Sequence, residues 1–164
     1  MRMLQKSATW YKNIIRNFQN GLVESENIGT IEAMPSMGRM CCFWYDPKLK
    51  ETLPYYDTFP LSIPIEQYGD SWLGLNLHYL PPGQRQGFFK ALYTLRTDKK
   101  LTEKTRLAAT YSLLKGTTRF RLFEPCIKKY LFAHSRSPYL NINPEQWEMV
   151  VDLPLQSFRK GRPY

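Results

Sequence analysis

The spacing of apolar side chains changes several times along the chain, and each change marks an element. Leu4, Trp10, Tyr11, Ile14, Ile15 and Phe18 share one helical stripe across residues 3–19, and Gly21 follows as a C-terminal stop. An amphipathic N-terminal helix is expected there, suited to its own core or to a neighbouring subunit. Residues 22–37, LVESENIGTIEAMPSM, carry no clear period and read as a mobile or extended connector. From Gly38 the runs become short and strand-like: GRMCCFWY, apolar on both faces, then PLSIPIE and WLGLNLHYL on either side of the turn QYGDS. In the last run Leu73, Leu75, Leu77 and Tyr79 alternate with Gly74, Asn76, His78 and Leu80. Pro64 has no N–H to donate to a ladder, which places it at an edge or a bulge.

After PPG at 81–83 the period turns helical. Phe88, Phe89, Leu92, Tyr93 and Leu95 form a stripe over 83–96. Thr102 caps a second helix carrying Leu107, Ala108, Tyr111 and Leu114, and Pro125 opens a third with Ile127, Tyr130, Leu131 and His134 inward. Asn143 and Pro144 start a last short helix that buries Trp147 and Val151, and the tail FRKGRPY reads as basic and loose. The expected fold class is α+β. It comprises an N-terminal helix and connector (1–37), a small curled antiparallel, SH3-like sheet (38–82) and a basic helical half (83–164), all in one compact domain.

A chain of 164 residues is long enough to bury such a core without disulfides or metal. It has no apolar run of membrane-spanning length and no secretory leader at its start, so neither a membrane nor secretion is expected. Cys41, Cys42 and Cys126 are odd in number, which argues for reduced thiols and a cytosolic assembly environment.

Charge alters the picture more. Residues 1–82 carry seven Lys and Arg against eight Asp and Glu, whereas residues 83–164 carry sixteen against six. The whole basic excess therefore lies in the second half, which points to a polyanion or an acidic protein surface as partner. Lys99, Lys100, Lys104 and Arg106 cluster at the start of a predicted helix, where the backbone dipole also favours anions. Arg119 and Arg121 flank Phe120, and Lys128, Lys129 and Arg136 line the polar side of the next helix. No base-reading signature accompanies them, so phosphate neutralisation with steep salt dependence is the expected mode.

Catalytic chemistry finds little support. His78 and His134 stand apart from any nucleophile motif and read as structural. No zinc-ligand spacing and no phosphate-cradling glycine loop occurs, so no cofactor, metal or small-molecule substrate is expected. Asp46, Asp57 and Asp70 sit where Asp makes turns. With Glu66 they would serve a metal-dependent nuclease, the weakest of the readings.

The stretch YDPKLKETLPYYDTFPL, residues 45–61, holds three tyrosines and three prolines. Its X-Pro steps enforce extended backbone, so a stiff connector pinned by Tyr55, Tyr56 and Phe59 is favoured over a base-stacking platform.

Together, GRMCCFWYDPKLKETLPYYDTFPL, GLNLHYLPPGQR and CIKKYLFAHSRSPYLNINPEQWEMVVDLP resemble a family of virion proteins of T-even-like tailed phages, over roughly residues 38–158. Trp72, where the family's pattern has a smaller residue, and the Cys41–Cys42 pair depart from it. The resemblance implies a non-enzymatic DNA end protector, located in the virion, that binds double-stranded DNA ends and other virion proteins. It assigns no active-site residues. The alternative is a neck, tail or baseplate adaptor whose basic half meets acidic subunits. In either role Leu4, Trp10, Ile14 and Phe18 are the expected protein-facing residues.

Overall fold

The computed structural model describes residues 7–22, 28–96 and 124–164, with side chains 89 and 91–96 outside that description. Three helices and eight strands are present among the described residues. Helix α1, Ala8–Gln19, begins at Ser7, whose Oγ accepts the Trp10 N–H. It ends as the sequence predicts. Gly21 takes a left-handed φ of 77°, its N–H reaches the Phe18 carbonyl, and the Leu22 N–H returns to Asn17 at 2.8 Å. Tyr11, Ile15 and Phe18 face the chain's own core.

Strands β1 (Gly29–Glu32), β2 (Cys41–Cys42), β4 (Leu61–Gln67), β5 (Ser71–Asn76), β6 (Ile127–Leu131) and β7 (Tyr139–Ile142) form one sheet in the order β1-β7-β2-β4-β5-β6. Every pairing in it is antiparallel. A two-stranded ladder joins β3 (Tyr56–Asp57) to β8 (Phe158–Arg159). Helix α2 spans Pro82–Arg96 and α3 spans Trp147–Val150, the latter entered by a 3-10 turn starting at Pro144. Trp147 and Val151 are buried there, as expected from Asn143–Pro144.

The sheet is covered on both faces, which explains why GRMCCFWY lacks a polar side. Met40 and Cys42 enter the main core with Leu61, Ile63, Ile65, Leu75, Leu140 and the helices, and Trp44 packs against it. Cys41, Phe43 and Tyr45 point the other way, into an aromatic cluster with Trp72, Tyr130 and Tyr139. Phe43 sits at its centre, 4.7 Å from Tyr139 and 5.3 Å from Tyr130 between ring centroids. Trp72, the residue that departs from the family's pattern, is fully buried against Tyr130 at 4.6 Å. Pro64 lies in an interior strand, and the register of β4 on β5 shifts between Pro64 and Glu66. The bulge thus absorbs the missing N–H.

Several expectations need correction. The sheet is a six-stranded layer ending in β1 and β6, not an SH3-like curl, and residues 124–142 hold no α-helix. Pro125 is the middle residue of a 3-10 turn at Glu124–Cys126, and residues 127–131, predicted as helix, are strand β6 paired with β5. The predicted helical stripe was short, and a strand alternation fits the same residues: Lys128 and Tyr130 lie opposite Gly74 and Trp72, with Lys129 opposite Leu73. The edge of β5 supplied the backbone partners that decided between them. Part of the supposed connector is the ordered strand β1. The alternation of WLGLNLHYL stops at Asn76, where the Asn76 side chain caps a 3-10 turn over Leu77–Tyr79. The tail is not loose either. It pairs through β8, and the Tyr164 hydroxyl accepts from Arg85 at 2.8 Å.

Candidate functional site

The stretch 45–58 closes on itself. The Tyr45 N–H donates to the Thr58 carbonyl at 2.9 Å, and turns at Pro47–Lys50 and Leu49–Thr52 fold the chain between. Lys160 fastens it from outside, its Nζ donating to the carbonyls of Lys50, Glu51 and Leu53 at 2.7, 3.0 and 3.3 Å. Asp46 is held by Lys50 at 2.9 Å and Arg136 at 3.7 Å. The result is an Ω-like loop with both ends anchored. Tyr55 packs on Tyr79 and Phe158, so the predicted aromatic pinning is present.

This loop is also one wall of a cleft of about 400 Å³. Tyr45, Lys48, Leu49, Tyr55 and Tyr56 line it from the loop, Lys128 and Tyr130 from the sheet, and Tyr79 from the 3-10 turn after β5. The Tyr45 hydroxyl accepts the Leu131 N–H at 2.9 Å and ties the loop to β6. Lys128 Nζ lies 4.0 Å from the Tyr79 ring centroid, a cation–π distance. Burial pushes the Lys128 ammonium below its ordinary pKa, offset by nearby Cys126. Among the described residues no carboxylate pairs with it. Lys129, on the opposite side of the strand, reaches toward Tyr68 at 5.9 Å.

Beneath the cleft lies a buried polar knot. Asp57 is 3% exposed and His78 fully buried, and His78 Nδ1 donates to Asp57 Oδ2 at 2.7 Å. Asn76 Nδ2 donates to the same oxygen at 3.1 Å, while its own Oδ1 accepts the His78 N–H. Asp57 Oδ1 accepts the N–H groups of Phe59 and Ser157, both at 3.0 Å. Burial works to raise the Asp57 carboxyl pKa, but the His78 ring and the bonds from His78, Ser157 and Asn76 win, holding it below the ordinary carboxylate value. The predicted Asp57 turn is the Phe59 bond. The partnership with His78, across twenty-one residues, had no local signal.

The acidic residues of the nuclease reading do not converge. Asp46 is in ion pairs, Asp57 is buried, Glu66 accepts from the Tyr68 hydroxyl and Asp70 from Ser71. Among the described residues no three His, Cys, Asp or Glu side chains gather as metal ligands. His134 bonds the Asp46 carbonyl through Nδ1. The thiols of Cys41, Cys42 and Cys126 are buried and free, and burial pushes each up, Cys126 to about 12, which leaves them as inert thiols.

Of the predicted phosphate contacts, Lys128 and Lys129 stand on strand β6 and not on a helix. Lys99, Lys100, Lys104, Arg106, Arg119 and Arg121 lie outside the described residues. Of the predicted protein-facing residues, Trp10 and Ile14 are half-buried against the core, Phe18 is buried, and Leu4 lies outside the description. A second, smaller cleft is lined by Lys12, Arg16, Gln19, Trp44 and residues 154–157. No helix among the described residues is long and apolar enough to cross a membrane.

The chain matches a family described as Phage T4 terminal DNA protecting protein over residues 2–164. No curated protein and no solved structure matches it.

Proposed function

The chain belongs to the phage T4 terminal DNA protecting protein family, and from that premise we propose that it is a non-enzymatic virion protein that binds the ends of linear double-stranded DNA and shields them. The observation that carries this reading is a family match spanning almost the entire chain, joined to a basic excess confined to residues 83–164. Lys128 and Lys129 supply two cations of that half at a described surface, neither of them with a carboxylate partner among the described residues. Lys99, Lys100, Lys104, Arg106, Arg119 and Arg121 complete the proposed phosphate contacts. A protein that neutralises phosphates in this way needs no catalytic group, because occupying the terminus is enough to block an exonuclease.

The test is binding to a linear duplex and to a closed circle of the same sequence across a salt series. Linear DNA should be preferred, and its affinity should fall roughly 10³-fold or more between 50 and 200 mM salt if six or more phosphates are neutralised. Lys128→Gln should lower the log–log salt slope by about one. Equal binding to circle and linear duplex, or a flat salt response, overturns the proposal.

A further inference from the structure

Phosphate contact leaves the most distinctive part of the cleft without a role. Tyr55 and Tyr56 bring half-buried rings to one space, backed by the buried rings of Tyr45, Tyr79 and Tyr130, although a site that only neutralised phosphate would need no rings. Aromatic faces beside unpaired cations are what an unstacked base and its phosphate require. The size agrees. About 400 Å³ falls within the range of roughly 300–1,000 Å³ for small-ligand pockets and suits one nucleotide, not a base-paired end.

The charges agree as well. Asp57 is the single carboxylate among the lining residues, and its two oxygens already accept four hydrogen bonds. Its oxygens are thus turned to partners within the protein, and its single charge at the base of the cleft stands against the cations of Lys128, Lys129 and Lys48. Lys128 stands half-buried over Tyr79 with no carboxylate to balance it among the described residues, and Lys48 is exposed on the rim. Asn76, the neutral amide at the base, has both ends of its side chain engaged within the protein. The cleft thus offers stacking and charge without an array of free groups to read base edges.

We propose that this cleft takes the unpaired terminal nucleotide of a DNA end, its base against the rings of Tyr55 and Tyr56 and its phosphate between Lys128 and Lys48, with little preference among bases. The proposal rests on the end-binding reading above and deepens it. The loop 45–58 becomes the wall that separates a frayed or overhanging strand from its complement.

The test uses the full chain and two hairpin duplexes of identical stem, one blunt and one ending in a single unpaired 2-aminopurine nucleotide. The tailed end should bind roughly tenfold tighter than the blunt end, as expected for one stacked base, and its fluorescence should be quenched on binding. Tyr56→Leu should bring the ratio of the two affinities close to one, whereas Tyr56→Phe should retain it. Lys48→Gln, on an exposed side chain, should shrink the ratio without risk to folding. Equal affinity for both ends with unquenched fluorescence overturns the cleft assignment and leaves end binding standing. Failure to bind either end overturns both readings. Free 2-aminopurine deoxynucleoside monophosphate bound as tightly as the tailed end would assign the cleft to a soluble nucleotide, and would also overturn the proposal.

Discussion

Among the described residues, the Asp57 side chain accepts four hydrogen bonds from separate parts of the chain. It bonds the turn to Phe59, the tail at Ser157, and Asn76 and His78 at the end of β5. Removing one partner from a buried pair leaves the other uncompensated, so Asp57→Asn should cost about 3 kcal/mol in chemical denaturation. Its pH signature follows from its depressed carboxyl. The contribution is whole above the unfolded value near 3.8 and is lost as pH falls through the lower, folded pKa. Acid unfolding of the parent should therefore steepen below about pH 4, and Asp57→Asn should flatten that limb. An unchanged acid limb in the variant would show that another carboxylate controls it. At this scale the sequence was half legible. An Asp before Thr-Phe-Pro announces a turn, and a lone histidine announces a structural role, but nothing local says that the two are hydrogen-bonded to each other.

Elements were readable where their ends carry their own chemistry. Gly21 ends α1 through short-range bonds, and Pro64 declared its bulge through the N–H it lacks, whereas the Ser7 cap starts the helix five residues later than the stripe predicts. Elements decided by a distant neighbour were not readable. Strand β6 has Ile, Tyr and Leu at positions that satisfy a helix or a strand, and the backbone of β5 settled the choice. Strand β1 is similar: its weakly patterned residues are ordered by pairing with β7, more than a hundred residues later. Gly29 shows how close that pairing is, because a Cβ there would lie 1.9 Å from the Asn141 carbonyl oxygen. The neighbour is backbone and cannot swing aside, so Gly29→Ala should cost about 3 kcal/mol, the upper part of the overpacking range. Thermal melting should record this as a fall of roughly 10 °C. A melting point within 2 °C of the parent, taking about 2 °C as experimental scatter, would show that β1 shifts freely on the sheet.

For the molecule as a whole, the tail is what joins stability to the cleft. Strand β8 pairs with β3, Lys160 bonds three carbonyls of the loop from a left-handed φ of 67°, and Tyr164 accepts from the buried Arg85. Deleting residues 158–164 should therefore lower the melting temperature and also loosen the loop 45–58, seen as faster amide exchange at Leu49–Tyr56. Lost stability with unchanged loop protection would separate the two roles. By itself the sequence determined the segregated charge, the two-sided burial of GRMCCFWY, the C-terminal stop of α1 and the family to which the chain belongs. These properties depend on residue type and short spacing, which a linear chain displays directly. Only the tertiary structure decided that YDPKLKETLPYYD stands opposite Lys128, that Asp57 meets His78, and that the basic tail is tied down. Each of these contacts closes a loop of twenty residues or more. Its free energy depends on partners that no local pattern encodes, so a stretch that reads as a stiff connector becomes, once folded, the wall of a cleft.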